Sequence, residues 1–264
     1  MLLGALHIHS TYSDGEFTLA ELREVLVAAG CRFACVSDHA DAFDDDRLAS
    51  YRRECDQLSD HRFLFIPSLE YSCIGRMHVL GYGITSRLDA TDPEEVIAGI
   101  RRNGGIAVIA HPRNEAFVGI ETFDPLPDGI EVWNTKYDGQ YAPRPATFAL
   151  LSRLQKRRSD IRAFYGMDLH WRRQFRGLFV EAACETMDAG AILKALRRGD
   201  YVGVKGDLRL RSDGMLPVET VSRFAAVHAR SQRLRRLVGV AKRLVERVGV
   251  AIPQPLKAQL RRIF

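Results

Sequence analysis

Several features that define common protein classes are scarce or missing in this 264-residue sequence. The five cysteines form no C-x-x-C pair, which argues against a disulfide framework or a thiolate metal site. No apolar run approaches the roughly 18 residues of a membrane span, and the opening MLLGALHIHS lacks the basic start of a secretion signal. Neither a G-x-G-x-x-G run nor a P-loop follows the first predicted strand. These absences favour a cytoplasmic protein with reduced thiols and no nucleotide cofactor.

Positive charge is concentrated at one end of the chain. The formal net charge is +5, but residues 221–264 hold eleven of the 38 Lys and Arg and only Glu246 of the 33 Asp and Glu. That end carries a charge of +10, and the preceding 220 residues carry −5. The overall positive charge therefore describes the C-terminal segment and does not by itself predict that the body binds nucleic acid.

The body alternates short apolar runs, typical of buried strands, with amphipathic helical segments. The strand-like runs are residues 2–8, 33–37, 63–69, 78–84, 105–110, 130–133, 162–166, 177–180 and 201–204. Helix starts fall between most of them, such as the capping box Thr18-x-x-Glu21 and the pair Asp92-Pro93. This order predicts an α/β fold with a mainly parallel sheet. At this length, closure into a barrel is favoured over an open sheet.

Histidines and carboxylates recur where these predicted strands end. Five strand ends carry, in chain order, His7 and His9, then Asp38 and His39, then Glu70, then His111, then Asp168 with His170. Because the carboxyl ends of parallel barrel strands meet on one face, these side chains are expected to converge there. Imidazole and carboxylate ligands together suit zinc, manganese or iron. The pattern therefore predicts a multi-metal site.

Each piece of this pattern also has a structural explanation when it is taken alone. On a regular strand, His7 and His9 would share one face only if the chain formed a bulge or turn there. Asp14 lies in the turn-like Ser13-Asp14-Gly15 and could serve the turn alone or reach over the mouth. His78 begins rather than ends a strand, so it could be a core histidine. The joint occurrence at five strand ends favours the metal site.

These motifs resemble those of the PHP (polymerase and histidinol phosphatase) family of metal-dependent phosphoesterases. They are residues 6–10 (LHIHS), 12–15 (YSDG), 36–39 (VSDH), 68–70 (SLE), 78–82 (HVLGY), 110–112 (AHP) and 166–170 (GMDLH). The resemblance covers residues 2 to 205 and is strongest to small stand-alone bacterial members. It implies a distorted seven-stranded β/α barrel that binds two or three divalent metal ions, commonly manganese, zinc or iron.

The resemblance also implies how the metals would be held. One would be bound by His7, His9, Glu70 and Asp168, a second by Glu70, His78 and His111, and a third by Asp14, His39 and His170. A hydroxide bridging two metals would attack the phosphorus atom. Asp14, Asp38 and His170 are the candidate catalytic residues that could protonate the leaving oxygen.

Three arginines are candidate substrate-binding residues. Arg113 directly follows His111-Pro112, and Arg172 lies in a basic, aromatic loop at residues 171–176. Arg144 is the third, and a guanidinium group can bind a phosphate through two hydrogen bonds. The alternative for each is a solvated surface arginine.

The basic C-terminal segment, residues 221–264, is predicted to be part of a helical extension. Apolar residues at helical spacing from Val218 to Val248 predict a long amphipathic helix, and Pro253 and Pro255 separate it from a shorter one. We expect residues 1–205 to form the barrel and residues 206–264 the extension, with a hinge within 205–220. Docking on the barrel or a homodimer through this helix is favoured over membrane or nucleic-acid binding, because aromatic residues are sparse there.

The sequence thus predicts a metal-dependent phosphoesterase acting on a small phosphorylated metabolite, a nucleotide or an oligonucleotide terminus. Nucleic acid is an allowed but not a required partner. A second hypothesis keeps the metals but assigns hydrolysis of carboxylic or carbamic esters. A third hypothesis is a non-catalytic metal-binding module that recruits a partner through its basic tail.

Overall fold

The computed structural model of the chain describes residues 1–247, which contain ten strands and seven α-helices. The strands are β1 (Leu2–Ile8), β2 (Phe33–His39), β3 (Leu64–Cys73), β4 (Met77–Tyr82), β5 (Ile106–Ala110), β6 (Gly129–Asn134), β7 (Arg162–Gly166), β8 (Phe179–Ala182), β9 (Tyr201–Lys205) and β10 (Leu208–Arg211). The helices are α1 (Leu19–Ala28), α2 (Asp45–Gln57), α3 (Pro93–Arg102), α4 (Phe117–Thr122), α5 (Pro145–Arg157), α6 (Ala189–Arg198) and α7 (Val218–Arg247).

All ten strands form one sheet in the order β10-β9-β8-β1-β2-β3-β4-β5-β6-β7. The strands β1, β2 and β3 are parallel, and so are β5, β6 and β7. Between these two sets β4 runs antiparallel to both of its neighbours. The strands β8, β9 and β10 add antiparallel beyond β1. The predicted α/β class is confirmed, but the expectation of a mainly parallel sheet is wrong.

The sheet curls into a nearly closed barrel where the chain after β7 meets β1. Ile8 and Leu169 form a parallel bridge, and the N–H of His9 donates to the carbonyl of Leu169 at 2.9 Å. Only the C-terminal half of β1 is covered in this way, because β8 pairs with its N-terminal half. The prediction of seven strands is therefore wrong. Ten strands are present because β8, β9 and β10 extend the sheet where the barrel closure is incomplete.

The strand β10 lies inside the segment that the sequence predicted as a hinge. Gly206, with φ of +54°, lies in the turn that folds β10 back on β9, so that Leu208 pairs with Lys205. Four residues that include two arginines give a weak strand signal. The division of the chain at residue 205 stays a prediction, and the sheet continues beyond it.

The predicted helix starts are confirmed. The N–H of Glu21 donates to Oγ1 of Thr18 at 3.2 Å, and the N–H of Thr18 donates to the Glu21 carboxylate at 2.9 Å. This reciprocal capping box begins α1. Asp92 accepts from the N–H groups of Glu94 and Glu95 and so begins α3. The helix α4 was not predicted because it has only six residues and no side-chain cap.

The long C-terminal helix is confirmed as α7, and the shorter helix predicted after Pro255 lies outside the described residues. Phe224 on α7 is buried in the core of the body. Together with Val227, Trp133 and Leu208 it lines a cavity of about 310 Å³. The N-terminal part of α7 therefore docks on the body, where α5 is a neighbour. From residue 1 to residue 247, no helix combines the length and apolarity needed to cross a bilayer.

We predict that Phe224→Ala lowers the free energy of unfolding by about 3 kcal/mol, because the ring leaves a cavity beneath α7. Leu237→Ala, on the same helix at a residue that is 66% exposed, should change it by less than about 0.5 kcal/mol. Denaturant unfolding of the two variants measures both values. Equal stability of the two variants would show that α7 does not depend on this contact.

Candidate metal centre

The carboxylate of Glu70, at the mouth of the barrel, lies among five histidines. Their ring nitrogens lie within 3.5 Å of its oxygens: Nδ1 of His78 at 2.9 Å, Nε2 of His9 and of His111 at 3.2 Å, Nε2 of His7 at 3.4 Å and Nδ1 of His39 at 3.5 Å. Glu70 is only 1% exposed. A buried carboxylate is thus shared by imidazoles from four other segments of the barrel.

Two aspartates complete the cluster. Oδ1 of Asp168, which is buried, lies 3.1 Å from Nδ1 of His170 and 3.7 Å from Nε2 of His9. Asp14 is exposed at the rim, with Oδ2 3.3 Å from Nε2 of His170 and Oδ1 3.7 Å from ring nitrogens of His9 and His39. The structure therefore brings together all nine side chains named as metal ligands in the sequence analysis.

An unusual backbone allows these strand ends to converge. His7, His111 and Asp168 have φ values of +56°, +30° and +51°, which residues with a side chain rarely adopt and which concentrate at functional sites. At His7 the register of β1 against β2 also shifts. This is the irregularity that the H-x-H motif required, and it lets His7 and His9 both approach Glu70.

The reversed direction of β4 explains the position of His78. This residue is the second of β4, where it pairs with Ser72 of β3 and with Ala110 of β5. Because β4 is antiparallel to both neighbours, its first residues lie beside the last residues of those strands. His78 therefore reaches Glu70 from the start of a strand, as the other ligands do from strand ends.

Glu131, which the sequence analysis missed, positions two of the histidines. Its Oε1 lies 2.8 Å from Nδ1 of His7, and its Oε2 accepts from the N–H of His111 at 2.8 Å and from Nδ2 of Asn134 at 2.9 Å. With Nδ1 of His7 donating to this carboxylate, Nε2 is the nitrogen left for a metal, which would take the place of any proton there. A Cβ at Gly166 would lie 1.8 Å from Oε1 of Glu131, so the close approach requires glycine there. Glu131 is a charged residue inside the apolar strand β6, and this feature of the sequence could have identified it as a functional residue.

Burial and mutual charge set the protonation of the cluster. Burial lowers the pKa of His9 to about 3, so this ring is neutral at neutral pH. Burial also opposes protonation of His7, but Glu131, Asp168 and Glu70 outweigh it and raise the pKa of His7 well above its ordinary value. Burial disfavours ionised Glu70 and Asp168, yet neighbouring histidines, His7 foremost, hold both pKa values well below the usual range. Both carboxylates are therefore ionised at neutral pH.

The donor set fits divalent metal ions. Four buried ring nitrogens have no hydrogen-bond partner among the described residues: Nε2 of His7, Nδ1 and Nε2 of His9, and Nδ1 of His39. Three groups have donor atoms within 4.8 Å of one another: His9, Asp14, His39 and His170; His7, His9 and Asp168; and His7, Glu70 and His111. Bonds of about 2.0–2.2 Å to a shared ion place two ligand atoms roughly 3–3.5 Å apart. The spacings around Glu70 match this requirement.

Lys136, which was not predicted from the sequence, adds a cation at the mouth of the barrel. Its Nζ lies 3.0 Å from Oδ1 of Asp168 and 3.3 Å from Nδ1 of His170. The neighbouring Tyr137 places its ring centroid 4.5 Å from that of His111. Lys136 follows β6, a strand end to which the sequence analysis assigned no residue. Polar residues just after β6 were therefore the signal from which Lys136 could have been predicted.

Asp38, named as a candidate acid, holds the loop that carries Asp14. Its carboxylate accepts from the N–H groups of Ser10 and Ser13 at 2.8 and 3.1 Å and from their hydroxyls at 2.7 and 2.5 Å. Burial raises its pKa. In residues 1–247, no hydrogen bond or ion pair joins Asp38 to the histidine cluster. Its contacts favour a structural role.

Of the three arginines named as substrate-binding residues, only Arg113 combines exposure with an open cavity. The cavity measures about 810 Å³ and is lined by His111, Arg113 and Arg144, and by Arg76 from the turn before β4. Arg76 was not predicted. Its φ of +58° is a further strained value beside the centre.

The other two arginines are held by partners within the protein. In Arg144, Nε pairs with Asp138 at 2.5 Å, Nη1 donates to Asn114 and Nη2 donates to the carbonyl of Pro112. Every guanidinium nitrogen of Arg144 is thus occupied, and its contacts support the segment after β5 instead of a substrate.

Arg172 is held on the outer side of its loop. Its guanidinium pairs with Glu21 and lies 4.5 Å from the ring centroid of Phe17, and its N–H donates to Glu16 at 2.8 Å. These contacts attach the loop to α1. They give no support to the predicted substrate-binding role.

We predict that Glu131→Gln weakens metal binding by about 10- to 100-fold, because the neutral amide no longer stabilises the Nδ1–H form of His7. Glu181→Gln on β8, which pairs with Arg209, removes a carboxylate outside the cluster and should leave the affinity unchanged. Competition titration with a chelator measures both affinities. Wild-type affinity in the Glu131 variant would contradict the positioning role.

No family model matches the chain. A segment of 62 residues is 34% identical to the DNA polymerase/3'-5' exonuclease PolX of Bacillus subtilis (strain 168), and this match covers 21% of the chain and 11% of the polymerase. The chain thus spans only a small part of that relative.

Two solved structures share the architecture. A two-domain protein of Bacteroides vulgatus ATCC 8482, containing a predicted PHP-like metal-dependent phosphoesterase, matches with a TM-score of 0.58 at 13% identity, over 79% of this chain and 66% of that one. PsfC of Pseudomonas syringae PB-5123 matches with a TM-score of 0.56 at 13% identity, over 88% of this chain and 98% of PsfC. At these identities the likeness concerns the fold. The resemblance noted in the sequence is confirmed at that level: the chain has the fold of the PHP-like metal-dependent phosphoesterases.

Proposed function

We propose that the protein is a metal-dependent phosphoesterase that hydrolyses a phosphate ester of a small metabolite, a nucleotide or an oligonucleotide terminus. The shared fold supports a hydrolase of this type. The nine converging histidine and carboxylate side chains support a centre with two or three divalent ions. Manganese, zinc and iron all suit such a mixed donor set.

The observation that carries the choice of a phosphate ester is the charge of the adjoining cavity. His111 connects the cavity to the metal centre, and Arg76 and Arg113 line it. Neither guanidinium has a hydrogen-bond or ion-pair partner in the part of the chain that the structure describes, and one acid, Glu115, lines the cavity with them. Unpaired guanidinium groups favour an anionic substrate over a neutral carboxylic or carbamic ester.

Divalent ions held by the nine ligands would supply Lewis acidity and a water activated at neutral pH. The chain's own residues perform the other tasks. Arg113 and Arg76 bind the substrate's phosphate, and Glu131 keeps His7 in its ligand form. With only two ions bound, at the other ligands, Asp14 and His170, which lie 3.3 Å apart at the rim, are placed to hold a proton where it can reach the leaving oxygen.

Two further expectations remain part of this proposal. A cytoplasmic location agrees with the reduced, largely buried thiols. The basic residues after residue 220 keep their proposed use as a docking helix or homodimer contact, and nucleic acid remains an allowed partner. Phe224, buried against the body, supports docking of the first part of α7.

We predict that protein loaded with manganese, zinc or iron releases phosphate from aryl phosphates, and that chelation abolishes this activity until metal is restored. His9→Ala should lower kcat/KM by about 1,000-fold or more, because it removes a ligand shared by two of the candidate metal groups. His61→Ala, an exposed histidine outside the cluster, is the matched control and should keep full activity.

A parallel panel of aryl carboxylic and carbamic esters separates the alternatives. Turnover of esters without any phosphate release would contradict the phosphoesterase proposal and favour an esterase. Metal-loaded protein that hydrolyses neither class would favour a non-catalytic module.

A further inference from the structure

The loop after β6 is held tightly beside the metal centre. Oδ1 of Asn134 accepts from the N–H groups of Lys136 and Tyr137 at 3.1 and 3.3 Å. Asp138 accepts from the N–H of Asn134 at 2.9 Å and pairs with Arg144 at 2.5 Å. Its N–H also donates to the carbonyl of Asn134 at 2.8 Å. These hydrogen bonds close the turn formed by residues 134–138, so the backbone is held both before and after Lys136.

Lys136 extends from this turn into the mouth of the barrel. Its Nζ lies 3.0 Å from Oδ1 of Asp168 and 3.3 and 3.4 Å from the two ring nitrogens of His170. The side chain is 21% exposed, so the ammonium group is largely shielded from solvent yet reachable from the mouth. Both contacts are to proposed metal ligands. The ammonium group therefore lies beside these side chains at the mouth of the barrel.

The charge of the loaded centre calls for an anion. Glu70, Asp168, Asp14 and Glu131 contribute four carboxylates in contact with the histidines. Two divalent ions already balance these four charges, and a third would exceed them. With three ions bound, the ammonium group of Lys136 therefore adds to an excess of positive charge that a metal-bound hydroxide offsets only in part, and this favours an anionic ligand beside it.

We propose that Lys136 binds a non-bridging oxygen of the substrate's phosphoryl group and makes this centre selective for phosphate monoesters over diesters. The inference rests on the proposed phosphoesterase function. A monoester carries close to two negative charges at neutral pH, because its second pKa is about 6, whereas a diester carries one. A fixed cation beside the phosphoryl group therefore stabilises the bound monoester more than the bound diester. Lys136 acts through a charge-assisted hydrogen bond and takes no part in proton transfer.

Three variants test this role. Lys136→Met removes the ammonium group but keeps an unbranched side chain, and Lys136→Arg keeps a cation. Lys194→Met on the exposed side of α6 removes the same charge outside the centre and serves as the control. On each metal-loaded protein, calorimetry measures the affinity for inorganic phosphate, and elemental analysis measures the bound metal. Steady-state kinetics gives kcat/KM for an aryl phosphate monoester and for a bis-aryl phosphate diester.

We expect K136M to weaken phosphate binding and monoester kcat/KM by about 10- to 100-fold, the size expected for one charge-assisted hydrogen bond. The diester kcat/KM should fall by roughly threefold or less, since the diester carries half the charge. K136R should stay within about fivefold of the wild type for both esters, because a cation is retained. Metal content should be unchanged in every variant, and K194M should match the wild type throughout.

Wild-type phosphate affinity and an unchanged monoester-to-diester ratio in K136M would overturn the inference and leave the phosphoesterase function standing. Loss of metal from K136M would also overturn it, because the lysine would then support metal binding and not the anion. A wild-type protein that hydrolyses neither ester would instead refute the phosphoesterase function. In that case the phosphate titration still decides whether Lys136 binds the anion.

Discussion

The buried carboxylate of Glu70 sets the constraint that the barrel has to meet. A buried carboxylate is costly unless opposite charge or hydrogen-bond donors surround it, and here the surrounding groups are five imidazoles. They come from β1 and the residue after it, from β2, from β4 and from the residue after β5. Four strands must therefore bring their histidines to the same edge of the sheet, where Glu70 of β3 lies. The reversal of β4 satisfies this constraint as well as a parallel strand would, because its first residues, which include His78, are then at that edge.

The same constraint explains why backbone strain collects at the mouth. Positive φ values at His7, His111 and Asp168 cost on the order of 1–3 kcal/mol each, so other contacts must hold these conformations. Glu131 supplies two of them, because one carboxylate binds the ring of His7 and the backbone of His111. Gly166 leaves the space in which that carboxylate fits. The ligands are thus held by a strand, β6, that provides none of the nine itself.

Local features of this fold follow from the sequence, whereas long-range pairing does not. The convergence of the nine candidate ligands could be predicted because each lies at a strand end or in a motif, and that information is local. The bulge at His7 followed from the same reasoning. The runs that form β8 and β9 were predicted, but β10, the direction of β4 and the antiparallel pairing of β8, β9 and β10 beyond β1 could not be, because they depend on pairing between distant segments. The roles of Arg144 and Arg172 depend on Asp138 and Glu21, whose proximity only the folded chain reveals.

Net charge is a poor guide to what this centre attracts. The first 220 residues carry −5, and the basic excess lies after them, yet the open cavity beside His111 is lined by unpaired arginines. Screening limits the reach of surface charge to about 8–10 Å at physiological ionic strength, so the groups nearest the substrate dominate. Under the proposed function those groups are Arg76 and Arg113 in the cavity and Lys136 at the metal centre, together with any bound metal ions. An acidic body can therefore present a positive mouth, and attraction of a phosphorylated substrate does not require the basic tail.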